Sequence, residues 1–248
     1  MEEMRPETLA ITSGRPEVEP GSGMNPGISL NSTFTAGGPI GYGRFGNETW
    51  HALEDAITHL ERGDSTLAFS SGMAAITAVF SLLPHGAPVV ASNQGYSGTM
   101  GLLNQHHASG RLEVRFVDIT NTDEVIAAMK GAALLWLESP TNPCLDIADL
   151  PTLIAAAKKF TIGVGVDNTF ATPLVQQPLA MGADIVMHSG TKYLDGQGRV
   201  MAGALCASDK MVKEKFLPVM KNGGMVLSPF NAWVVLKGLE TLDIRMRA

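Results

Sequence analysis

Between residues 66 and 206 short apolar runs alternate with stretches of helical period, and this alternation narrows the possible folds more than any other feature. The runs are "TLAF" (66–69), "APVVA" (87–91), "LEVRFV" (112–117), "AALLWL" (132–137), "IGVGV" (162–166), "DIVM" (184–187) and "VMAGALC" (200–206), all of strand length. Between many of them lie "GMAAITAVFSLL", "TDEVIAAMK", "IADLPTLIAAAKKF" and "QPLAMG", which carry a helical pattern. Strand and helix in turn predict an α/β fold, a mostly parallel sheet covered by helices on both faces. Ligands of such sheets gather at the carboxyl ends of the strands. Ahead of the alternation, "TWHALEDAITHLER" sets Trp50, Leu53, Ile57 and Leu60 at helical spacing, with Gly63 placed to stop the helix. Residues 1–48 are rich in Gly, Pro, Ser and Asn and show no helical period. Such an arm is either disordered or held against another subunit.

Composition removes several functional classes. With 45% apolar residues among 248, the chain has ample material for a core. A net charge of -6 and no basic run of five argue against a nucleic-acid partner. No apolar run approaches the ~20 residues that span a bilayer, so no membrane partner is expected. The start, "MEEMRPETLA", lacks the cationic and apolar regions of a signal peptide, which makes the cytoplasm the expected location. Cys144 and Cys206 have no C-x-x-C spacing and read as small buried apolar residues in a reducing compartment. His106, His107 and His188 have no cysteine or carboxylate at metal spacing, so they read as structural and no metal is expected.

The residues that close each run carry the chemistry. "SSGMAA" (70–75) opens a helix with two serines and a glycine, which is either a plain N-cap or a phosphate cradle. "ESPTNP" (138–143) brings Asn142, and "DNTF" puts Asp167 directly behind five apolar residues. A carboxylate there is costly unless a cation faces it. "HSGTK" ends in Lys192, which by itself would be an ordinary solvated flank. In a parallel sheet these ends converge on a cradle (Ser71, Gly72, the Met73 backbone, Ser189, Thr191), a buried carboxylate and one amine. A lysine withdrawn from water has a lowered pKa and forms a Schiff base with a carbonyl. A carboxylate facing a pyridinium nitrogen keeps that ring electron-withdrawing, and together these are the parts that pyridoxal phosphate (PLP) requires. "SGTK" also satisfies S-x-x-K, but the S-D-N and K-T-G partners of that chemistry do not occur in the chain. "GVGVDN" lies inside a strand and lacks the third glycine of a dinucleotide fingerprint.

"SSGMAA", "QGYSGT", "ESPTNP", "VDNTFATP", "GADIVMHSGTKYLDGQG" and "SPFNAWVVLKGLETL" run in one order across roughly residues 40–245. In this the chain resembles the Cys/Met-metabolism family of PLP enzymes, which share the fold of aspartate aminotransferase. The resemblance implies a three-layer α/β/α large domain of PLP-transferase fold type I over residues 49–235. It further implies an arm over residues 1–48 that contacts a neighbouring subunit. Residues 236–248 would begin a linking helix to a C-terminal domain, which in the family carries the arginine for the substrate carboxylate and which this chain is expected to lack. Lys192 would hold the cofactor and shuttle protons. Asp167 would pair with the pyridine nitrogen, Tyr96 would stack on the ring and assist proton transfer, and Asn142 would meet the ring's 3-oxygen side, with Thr169 beside Asp167. Ser71, Gly72, Met73, Ser189 and Thr191 would hold the phosphate. Tyr42 and Arg44 in "GYGRFGN" match the family's Y-x-R segment, which reaches a neighbour's phosphate site and implies a homo-oligomer, a dimer or tetramer. Without the resemblance, Tyr96 is an ordinary loop aromatic, Thr169 a turn hydroxyl and Arg44 a solvated charge.

Two departures qualify the match. The family's N-P-T is "NET" (47–49) here, and its G-H-x-D after the lysine is "GQGR" (196–199). The second variant, with "SPFNAWVVLKGLETL", resembles the O-succinylhomoserine sulfhydrylase branch. "GYGRFGN" and "LLWLESPTNP" fit cystathionine gamma-lyase or gamma-synthase relatives equally well. The expected activity is gamma-replacement on an activated homoserine ester in sulfur amino-acid metabolism. The alternatives are a cystathionine or methionine gamma-lyase and, further off, a non-catalytic cofactor-binding or assembly protein.

Overall fold

A computed structural model of the chain describes residues 4–248. They form two compact units, one comprising residues up to Ala75 together with Ser189–Ala248, the other Ile76–His188.

The Ile76–His188 unit is the alternating part. Its strands are β2 (Ala87–Ser92), β3 (Leu112–Val117), β4 (Leu134–Glu138), β5 (Gly163–Asp167) and β6 (Ile185–Ser189, whose last residue falls in the other unit). They pair in the order β6-β5-β4-β2-β3, and every pair is parallel. Parallel strands are apolar on both faces because each face is covered. On one face Val90, Leu135, Leu137, Val164 and Val166 pack with Val125, Leu153 and Ile154 from the helices Thr122–Ala128 and Leu150–Lys159. On the other, Trp136 meets Phe80 edge-on at 5.2 Å between ring centroids. Gly165 is glycine because a Cβ there would lie 2.7 Å from Cε3 of Trp136. That close approach accounts for the second glycine of "GVGV" without any nucleotide.

The other unit holds the remaining strands, β1 (Ser65–Phe69) and β7 (Gly203–Ala207), which pair antiparallel. Its Glu48–Glu61 helix starts at Asn47, whose side chain accepts from the Thr49 N–H at 2.9 Å. The departure at "NET" is therefore a working N-cap, with the acidic Glu48 in the first turn, where the helix dipole favours it. Trp50, Leu53, Ile57 and Leu60 are buried as their spacing predicts. The left-handed residue that ends the helix is Arg62 (φ 53°), one place before the expected Gly63.

Three elements differ from the sequence reading. A helix at Pro6–Thr12 lies where no helical period is visible, because two turns are too short to display one; it is anchored by buried Leu9 and Ala10. The helix Ser97–Ala108 buries only Thr99 and Leu103, so it has almost no apolar stripe to read. β7 begins at Gly203 rather than Val200 because Ala202 is already bonded to Thr191 through both its N–H and its carbonyl. Cys206 is buried, and burial pushes its thiol up to about 12. Cys144 is exposed, contrary to the expectation of a small core residue, since it lies in the turn that follows β4. Among the described residues no helix is long and apolar enough to cross a membrane.

Candidate cofactor site

In the first unit the helix Gly72–Ser81 starts behind Ser71, whose Oγ accepts from the Ala74 N–H at 3.1 Å. The serine hydroxyl is thus a cap, leaving the first backbone N–H groups of the helix to face an anion. A Cβ on Gly72 would stand 3.0 Å from Cβ and 3.1 Å from Oγ of Ser189. Glycine at 72 is therefore what brings the helix start against Ser189, and it joins two segments that are 117 residues apart in sequence. Thr191 Oγ1 accepts from Ala202 N at 3.1 Å and contacts Ala202 O at 3.3 Å, which ties the lysine's turn to the approach of β7. Lys192 lies in a π-helical turn, Gly190–Leu194, with a non-helical backbone of φ -95° and ψ -118°.

The expectation of an amine withdrawn from water is not met in the chain taken alone. Lys192 is exposed, because the buried members of its turn are the flanking Gly190 and Leu194. The turn is nonetheless fixed. The Gly196 N–H donates to Lys192 O at 2.7 Å, and Arg245 Nη1 donates to Tyr193 O at 2.7 Å.

In the second unit Asp167 ends β5 and is buried. Burial is the largest influence on its carboxyl and raises the pKa. The Thr169 hydroxyl and N–H, donating to Oδ1 at 2.5 and 3.0 Å, and the charge of His188 pull the other way. Glu138 sits beside it, its Cα in register with that of Asp167 across β4 and β5. Glu138 is also buried, and burial reinforced by Asp167 pushes its carboxyl up to about 7. Its two oxygens accept from the N–H of Tyr96 at 2.8 Å and of Asn142 at 2.7 Å. Tyr96, at the start of the Ser97–Ala108 helix, and Asn142 are both half-buried. Sequence reasoning missed Glu138, although it carries the signal that singled out Asp167, a carboxylate closing a buried apolar run.

On the arm, Arg44 lies over the Tyr42 ring at 5.1 Å and donates through Nη1 to Lys221 O at 2.8 Å. Tyr42 meets Phe45 edge-on at 5.7 Å, and both rings remain exposed.

Residues 7–248 match the family described as Cys/Met metabolism PLP-dependent enzyme. The chain belongs to that family. This Cys/Met-metabolism chain is 40% identical over 251 residues to the cystathionine gamma-lyase of Bacillus subtilis (strain 168), covering 99% of itself and 66% of the relative. It is 41% identical over 208 residues to the cystathionine beta-lyase of Lactococcus lactis subsp. cremoris (strain MG1363), covering 84% of itself and 55% of that protein. The solved cystathionine gamma synthase of Xanthomonas oryzae pv. oryzae, in complex with aminoacrylate and cysteine, superposes with a TM-score of 0.90. It is 34% identical and matches 97% of this chain and 64% of the solved one. The chain thus spans 55 to 66% of the length of these relatives. They share its α/β fold, the large domain of PLP-transferase fold type I, and include both lyases and a synthase.

PLP is the family's cofactor, and the residues present suit it. The first unit offers an anion cradle of free helix amides and Ser189, with an amine three residues on. The second offers a buried carboxylate, Asp167, that carries no cation of its own strand and whose burial calls for one.

Proposed function

We propose that this chain is the cofactor-binding part of a PLP enzyme that replaces the gamma-substituent of an activated homoserine ester with a sulfur nucleophile, of O-succinylhomoserine sulfhydrylase or cystathionine gamma-synthase type. The observation that carries the reading is the contact of Gly72 with Ser189, which unites two separately predicted phosphate-binding segments next to Lys192. Bound PLP supplies the electron sink that makes the substrate's alpha and beta protons removable. Ser71, Gly72 and Met73, through the start of their helix, would hold its phosphate with Ser189 and Thr191. Asp167, oriented by Thr169, would keep a proton on the ring nitrogen, while Asn142 would face the 3-oxygen. Tyr96 would cover the ring. Lys192 would anchor the cofactor and, once displaced by the substrate amine, carry protons at the alpha carbon. The reaction then ends in one of two ways. In replacement the ester's carboxylate leaves and a thiol or sulfide bonds to the gamma-carbon. In elimination, with cystathionine or methionine as substrate, the gamma-carbon–sulfur bond breaks, the thiol leaves, and hydrolysis of what remains gives a 2-oxo acid and ammonia.

"GQGR" favours replacement by its likeness to the sulfhydrylase branch. Elimination is the second reading, and the 40% identity to a gamma-lyase supports it. A homodimer or tetramer in the cytoplasm is part of the proposal, with Tyr42 and Arg44 lent to a neighbouring copy. Their stacked arrangement on an exposed arm suits that use. Reconstitution with PLP followed by borohydride reduction tests the cofactor assignment: the label belongs on Lys192, and a label elsewhere, or no visible band, refutes it. Lys192→Ala should take up PLP without fixing it and show no turnover. O-succinylhomoserine with sulfide, assayed against cystathionine alone, separates replacement from elimination.

A further inference from the structure

The function described above leaves Glu138 unused, yet this buried carboxylate sits where two of the proposed ring-contacting segments begin. Its Oε2 accepts from the Tyr96 N–H at 2.8 Å and its Oε1 from the Asn142 N–H at 2.7 Å. Tyr96 precedes the Ser97–Ala108 helix and Asn142 lies in the turn after β4, so no ladder or helix bond fixes either amide. One side chain therefore sets the backbone of both, from a strand whose five residues are all buried. Burying a carboxylate beside Asp167 is unfavourable, and an uncharged residue would fill the space at less cost. What a carboxylate provides, and its amide analogue does not, is two acceptor oxygens on one planar group.

We infer that Glu138 is a positioning residue that holds the Tyr96 and Asn142 backbones at the spacing a flat cofactor ring requires, its two oxygens acting as the joint between them. The inference rests on the proposed PLP role of Tyr96 and Asn142. Glu138→Gln keeps the volume but presents an N–H₂ group to one of the two amides. Glu138→Asp keeps the charge but shortens the reach.

The test uses the whole chain, ¹⁵N-labelled, in two arms. Without cofactor, amide exchange of Tyr96 or Asn142 should quicken at least tenfold in Glu138→Gln, while amides inside β4 stay unchanged and the melting temperature at pH 8 is equal to or above that of wild type. With PLP, both variants should bind at least about tenfold more weakly than wild type, with a reduced visible circular dichroism band, as expected when one charge-assisted bond is lost. Unchanged exchange at both amides overturns the inference, as does wild-type affinity and dichroism in both variants. A loss of affinity that merely tracks a fall in melting temperature also overturns it. Should the wild-type chain itself take up no PLP, the proposed function fails, and the exchange arm still decides the role of Glu138.

Discussion

Asp167 shows how a single side chain can be unfavourable for the fold and still be retained. Its carboxyl is buried, and the Thr169 hydroxyl and N–H only partly offset the cost of that burial. Asp167→Asn removes the charge, keeps an acceptor for Thr169 and preserves the shape. Thermal unfolding should therefore show a melting temperature equal to or above that of wild type. The same variant should lower kcat by about 100-fold or more, since a preorganised electrostatic partner is typically worth that much. PLP retention should be largely spared because the proposed phosphate contacts lie elsewhere. A variant with full kcat would mean that Asp167 does not face the ring. The candidacy of Asp167 was legible because a carboxylate closing "IGVGV" is costly to bury and so calls for a cationic group opposite it. Glu138 closes "LLWL" in the same way, but the adjoining "SPTNP" drew attention to Asn142 instead. The exposure of Lys192 was not legible, because it follows from a π-turn whose buried ends are Gly190 and Leu194, and no sequence period marks such a turn.

The turn and loop from Gly190 to Arg199 show how an element without regular structure is held. Asp195 is fully buried, and both its oxygens are used. Oδ1 accepts from Arg199 Nε at 2.8 Å and pairs with Nη2 at 2.7 Å, while Oδ2 accepts from the Arg199 N–H at 2.8 Å. Arg199 Nη2 also donates to Val234 O at 3.2 Å, which fastens the loop to the Pro229–Leu239 helix. The "GQGR" departure is thus an ion pair whose other half is Asp195, a role that spacing alone did not show. Deleting one partner of a buried pair strands the other, at roughly 3 kcal/mol. Arg199→Ala should cost about that much in urea unfolding, since it leaves the fully buried Asp195 carboxylate without its guanidinium. Asp195→Ala should cost less, since the Arg199 side chain is 37% exposed and can turn to water when its partner is gone. The double variant should fall short of the summed losses by about 0.5–3 kcal/mol, the range for residues in direct contact. Additive losses would show that the two groups act independently. The parallel strands, by contrast, were legible almost to the residue, because a continuous apolar run of strand length with a polar residue at its end suits a strand covered on both faces and little else. The Ser97–Ala108 helix was not, since it buries just two side chains.

For the molecule as a whole, acids buried or half-buried in the fold set how stability responds to pH. Glu138 and Glu54 are both pushed up to about 7, chiefly by burial, and Asp167 is shifted in the same direction. An acid whose pKa is higher in the folded state holds its proton longer there than in the unfolded chain. Its contribution is fully present below the unfolded value of 4.5 and is lost as pH rises to about 7. This is opposite in sign to an exposed, hydrogen-bonded acid such as Asp118, whose pKa is lowered. Many groups titrate together in the wild type, so the informative quantity is the difference from Glu138→Gln. That difference should be small or slightly negative at pH 5, where the wild-type carboxyl is protonated and the variant has lost one acceptor. It should then move in the variant's favour between pH 5 and 7 and level off by pH 8. A shift of this size corresponds to at most about 3 kcal/mol, and Asp167, whose charge acts on Glu138, shares in it. Urea unfolding of both proteins at pH 5, 6, 7 and 8 measures the curve. A difference that is flat across this window would mean that water or a cation reaches the Glu138 carboxyl in solution, and a difference of opposite slope would mean that the carboxylate is stabilised where it sits.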